Sequence, residues 1–95
     1  MELAEIKDIV TEIISEKLNI RQIDVCTDLS IFGIGGSIIN NLDIMVELEN
    51  RFQCSSKKDY NIYLKSIDQI CLYIFRKVNR KKIHNRIKVM ELETI

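Results

Sequence analysis

Residues 28–52 read DLSIFGIGGSIINNLDIMVELENRF. The first half of this stretch keeps no period: Leu29, Ile31, Phe32 and Ile34 are scattered, and Gly33, Gly35 and Gly36 make its end flexible. The pattern changes at Ser37, a natural helix N-cap. Behind it, Ile38, then Asn41 or Leu42, Ile44 or Met45, Leu48 and Phe52 recur at helical spacing. The spacing predicts a helix over 38–52 with that stripe buried. Ile39, Leu42 and Val46 form a second apolar strip, more than one core face absorbs. Asp43, Glu47 and Glu49 flank it. An apolar strip rimmed by acids suits the docking of a partner protein. A bundle wrapped around the whole helix would account for the same pattern equally well.

Toward the N-terminus, Leu3, Ile6, Val10 and Ile13 recur with Ile9 and Ile14 beside them. They predict a helix over 2–18, with Asn19 as its C-terminal cap. Residues 19–36 are too many for a bare loop in a compact domain, and their apolar residues predict that they pack over the bundle. Toward the C-terminus, a polar connection follows Phe52, and a short helix is expected over 59–65. Ser66 and Gln69 have the spacing of a capping box. Ile67, Ile70, Cys71, Ile74 and Val78 then predict a helix over 66–79. Ile83, Ile87 and Met90 keep only a faint helical spacing beyond it. The expected architecture is all-α, a small four-helix bundle over 1–79 with a basic extension over 80–95.

The chain has 95 residues, enough for one domain with one modest core. It has no proline and three glycines, which favours helices joined by short turns over a sandwich or barrel. No run of about eighteen apolar residues exists, so no membrane span is expected. The first residues are acidic, whereas a secretory signal opens basic and then apolar, so a cytoplasmic location is expected. Cys26, Cys54 and Cys71 are odd in number and lack metal-ligand spacing, which fits reduced thiols. His84 lies in a basic stretch with no partner near it in sequence. No base stands beside a nucleophile, and there is no metal cluster or phosphate loop, so the chain is not expected to be an enzyme in its own right.

The zero net charge conceals a division. Residues 1–75 hold seven Lys/Arg and twelve Asp/Glu, and residues 76–95 hold seven and two. An acidic body of net −5 is joined to a basic end of net +5. Such an end suits nucleic acid or an acidic membrane surface. It has no aromatic residue on which bases would stack, so nucleic acid is not the expected partner.

The quoted stretch resembles the attachment segment of acyl and peptidyl carrier proteins, which has the form D-x-S-[LF]-F-x-[LY]-G-[GLA]-[DH]-S-[LI] followed by a helix ending in L-E-x-x-F. Asp28, Ser30, Phe32, Ile34, Gly35 and Gly36 match the first part, and Leu48, Glu49, Arg51 and Phe52 match the last. The likeness covers roughly residues 3–79. It implies that a phosphopantetheinyl transferase attaches 4′-phosphopantetheine to a serine at the start of the second helix. The thiol of that arm would then carry acyl or aminoacyl thioesters between loading and condensing enzymes. A phosphodiester sits well at a helix N-terminus, where free N–H groups and the dipole favour negative charge.

The chain departs from the family pattern at the attachment point. Without gaps, the family's Asp-Ser pair falls on Ser37 and Ile38, and Ile38 has no hydroxyl. Moving Ser37 onto the attachment position requires an insertion within the second helix, which rotates every later side chain by about 100°. Two readings follow. In one, Ser37 still accepts the arm from a position one residue away. In the other, the domain is never modified and acts through its second helix, with Ile39, Leu42, Asp43, Val46, Glu47 and Glu49 meeting the partner.

Overall fold

A computed structural model describes residues 1–55 and 60–93, and side chains at 1–55 and 61–80. Its regular elements are all helical. Three α-helices span Leu3–Leu18 (α1), Ile38–Phe52 (α2) and Ile67–Glu93 (α3), and short 3-10 helices span Gln22–Asp24 and Tyr60–Leu64. The second 3-10 helix stands where the short helix was expected over 59–65. No strand occurs among the described residues.

α1 is central and packs against both α2 and α3. Ile6, Val10, Ile13 and Ile14 line its inner face. They meet Ile44, Leu48 and Phe52 of α2, and Ile67, Ile70, Cys71 and Ile74 of α3, in one core. Full burial of each such aliphatic side chain contributes about 1.5–3 kcal/mol. Asn19 ends α1 in the left-handed conformation, φ 54°, as its sequence position predicts. Ser66 and Gln69 form the expected capping box before α3: Gln69 N–H donates to Ser66 Oγ and Ser66 N–H to Gln69 Oε1, both at 3.2 Å.

The long first connection packs down. Ile31 is fully buried and Val25 nearly so. Gln22 Nε2 donates to Thr11 Oγ1 of α1 at 2.8 Å. At the other end, Ile67 N–H donates to the Leu29 carbonyl at 2.9 Å and Asp68 N–H to the Thr27 carbonyl at 2.8 Å. Backbone groups that α3 leaves open at its N-terminus are thus closed by the connection. Lys7 of α1 pairs with Asp68 of α3 at 3.0 Å.

α3 does not stop near residue 79. Its backbone stays helical for 27 residues, through Glu93, a length of about 40 Å. No glycine or proline follows residue 79 to end it. The Arg-Lys-Lys run that reads as the opening of a tail is made of good helix formers.

The approach to α2 is built on Ile31 and the glycines. Gly36 N–H donates to the Ile31 carbonyl at 2.9 Å. A Cβ on Gly36 would lie 2.6 Å from Ile31 Cγ2 and 2.8 Å from the Ile31 carbonyl oxygen. Gly35 has open space around it but adopts φ +99°, a region L-residues rarely enter. Gly36→Ala is therefore expected to destabilise the domain by about 1–3 kcal/mol. Urea unfolding checks this, and an unchanged midpoint would show that the connection does not approach α2 this closely.

Candidate functional site

The start and outer face of α2 bring together the residues that the sequence singles out. Ser37 is the N-cap, with extended backbone (φ −85°, ψ 174°). Its Oγ accepts from Asn40 N–H at 3.1 Å and donates to Asn40 Oδ1 at 2.9 Å. Its own N–H donates to the same Oδ1 at 3.0 Å. Asn40 thus completes a capping box that the sequence reading did not include, because S-x-x-N is a weaker signal than S-x-x-E/Q. Both roles of the Ser37 hydroxyl are engaged locally, though the residue itself is exposed.

Ile38 is the first helical residue and is 70% exposed. The buried stripe is instead Ile44, Leu48 and Phe52, with Asn41 and Met45 half-buried beside it. Six residues separate Ile38 from Ile44, which turns them about 120° apart on the helix. Ile39 is 78% exposed, Leu42 52% and Val46 51%. With Ile38 they form one apolar strip along the side of α2 away from the core. Of the two explanations for the surplus apolar residues, a wrapping bundle is not the one found among the described residues.

The strip has charged margins. On one side, Asp43 and Glu47 are exposed. Asp43 also pairs with Lys17 of α1 at 3.2 Å, so part of its charge serves to hold α2 against α1. Glu49, half-buried, stands about two turns beyond Leu42 in line with the strip. Asn41 contributes a buried Oδ1 with no hydrogen-bond partner among the described residues.

No group of three metal-ligating side chains occurs among the described residues, and no described helix is long and apolar enough to cross a membrane. None of the three cysteines is in a disulfide: Cys26 is exposed, Cys54 half-buried and Cys71 buried. Burial pushes the Cys71 thiol up to about 11, with the Asp68 charge adding to the rise and Lys7 opposing it. A thiol so held is a packed apolar group at neutral pH, not a nucleophile. His84 lies outside the described side chains. Compared with known protein families, curated proteins and solved structures, the chain matches none.

The register of α2 decides what the strip presents, and two leucines six residues apart report it. Leu48 is fully buried and Leu42 is half out of the protein. Leu48→Ala should cost about 2–5 kcal/mol of stability and Leu42→Ala less than about 1 kcal/mol. Equal losses in thermal or urea unfolding would mean that the helix is rotated from this register.

Proposed function

We propose that this chain is an acyl-carrier-like domain that works as an unmodified protein-interaction module, through the outer face of α2. The carrying observation is at the head of that helix. The residue one position inside the cap is Ile38, exposed and without a hydroxyl. The only hydroxyl adjacent to it, on Ser37, is committed to the capping box in both directions. Esterifying Ser37 would remove the bond it donates to Asn40 and loosen the first turn of α2. The strip of Ile38, Ile39, Leu42 and Val46 leaves four aliphatic side chains more than half exposed along about two turns. The partner is a protein with a small apolar patch edged by Lys or Arg to meet Asp43 and Glu47. A synthase or transferase component of a thioester-handling pathway is the class that the carrier likeness implies. Catalysis in this reading belongs to the partner.

A second reading rests on the position of Ser37. It is exposed at the N-terminus of a fifteen-residue helix, where a phosphodiester is electrostatically favoured. There it would bear 4′-phosphopantetheine, added by a phosphopantetheinyl transferase, and present acyl or aminoacyl thioesters to loading and condensing enzymes of a fatty acid, polyketide or peptide-type pathway.

Intact mass after incubation with coenzyme A and several broad-specificity transferases separates the two. The unmodified reading expects no mass change. One pantetheine adduct that disappears in Ser37→Ala would overturn it in favour of the second. Val46→Glu and Asp43→Lys should both weaken capture of the partner by the wild-type fold, and undiminished capture by both would remove α2 as the docking face.

A further inference from the structure

The acidic face of α2 has a basic counterpart elsewhere on the domain. Tyr73, Arg76, Lys77 and Arg80 stand at i, i+3, i+4 and i+7 on α3 and share one face of that helix. Opposite them stand Ile62 of the second 3-10 helix and Lys65 just beyond its end. Together they line a groove of about 420 Å³, within the size range of small-ligand sites. Among the described residues, no carboxylate lines it. A second, shallower depression shares Ile62, Lys65, Tyr73 and Arg76 and continues the groove along α3.

Four cations around one groove is an arrangement the fold does not require. Arg76 and Arg80 repel at i,i+4, and Lys77 and Arg80 at i,i+3. Elsewhere on the domain, three of the four described Lys and Arg residues, Lys7, Lys17 and Arg21, have a carboxylate within 3.2 Å, Arg51 being the exception. Among the described residues, Lys65, Arg76, Lys77 and Arg80 have none. Lys77 lies instead over the ring of Tyr73, 5.4 Å from its centre, which holds its ammonium at the groove wall. The arrangement is poised for an anion that supplies the missing countercharge.

We propose that this groove binds a small organic phosphate carrying two adjacent anionic groups, of the diphosphate class. Arg76 and Arg80 are one turn apart, about 6 Å along the axis, a separation two linked phosphates span. Each guanidinium offers a planar fork that takes two phosphate oxygens at once. Lys65 approaches from the opposite wall and closes the charge. Ile62 and the exposed part of Tyr73 leave an apolar flank for the organic part of the ligand. The site is independent of the α2 reading, since it uses neither that helix nor Ser37.

Inorganic pyrophosphate is the probe, titrated calorimetrically into the full chain, with thermal unfolding in parallel. The expected result is saturable one-to-one binding and a raised unfolding temperature, with sulfate at equal ionic strength giving much less. Arg76→Gln with Arg80→Gln should weaken binding about tenfold or more, and Lys65→Gln should weaken it as well. Arg51→Gln, a cation outside the groove, should leave it unchanged. Both groove variants must melt as the wild type does without the probe, which separates loss of the site from loss of the fold. Absence of saturable binding overturns the proposal, as does equal weakening by Arg51→Gln. Binding of a single-stranded oligonucleotide or of anionic vesicles that pyrophosphate fails to displace also overturns it, since the basic face would then serve an extended polyanion.

Discussion

The contact between Ile31 and Gly36 fixes the rest of the domain's working surface. Ile31 is the fully buried residue of the connection, with Val25 nearly so. Its carbonyl takes the Gly36 N–H, and its side chain fills the space a Cβ at Gly36 would need. That anchor sets where the chain leaves the connection and enters α2. Ser37 then falls at the N-cap and Ile38 at the first helical position. Once the first turn is set, the helical repeat of about 100° per residue assigns every later side chain to core or solvent. Ile44, Leu48 and Phe52 go in, and Ile39, Leu42 and Val46 stay out. A shift of one residue at the cap would turn every later side chain by about 100° and take Ile44 and Leu48 off the core direction.

Features coded by local chemistry were legible in the sequence. The end of α1 at Asn19, the bounds of α2 and the Ser66 cap of α3 each depend on a few neighbouring residues, and each is found where the spacing puts it. The packing of the long connection was legible from Val25 and Ile31, apolar residues with no period to place them on a helix. The position of Ile38 was not, because an isoleucine at the head of an apolar stripe fits either face until the core direction is known. The extent of α3 was missed for a related reason. Its second half lacks a strong apolar period, and without that signal a run of Lys and Arg reads as a tail although it is composed of helix formers. The groove beside Tyr73 was out of reach, since its two walls come from elements separated by a connection and meet only in three dimensions.

Charge is divided between surfaces rather than spread. The sequence shows an acidic body and a basic end; the fold converts that into an acid-rimmed apolar strip on α2 and a groove between α3 and the Tyr60–Leu64 turn whose described charged residues are all basic. The ion pairs Lys7–Asp68 and Lys17–Asp43 sit between helices and link α1 to its two neighbours. At exposed positions such pairs add little to stability, so the core remains the main source of it. The two candidate surfaces therefore rest on one core, built around α1, with different chemistry at each.

The central claim is the register that leaves Ile38 at the surface and Ser37 at the cap, and methyl-resolved NMR of the chain in solution tests it most directly. The account predicts N-cap carbon shifts at Ser37, helical shifts from Ile38 onward, and Ile44 and Leu48 methyls with nuclear Overhauser contacts to Ile6 and Val10 across the core. Ile38, Ile39 and Val46 methyls should show only contacts within α2 and to its immediate flanks. Core contacts from the Ile39 or Val46 methyls, or helical shifts at Ser37, would contradict it.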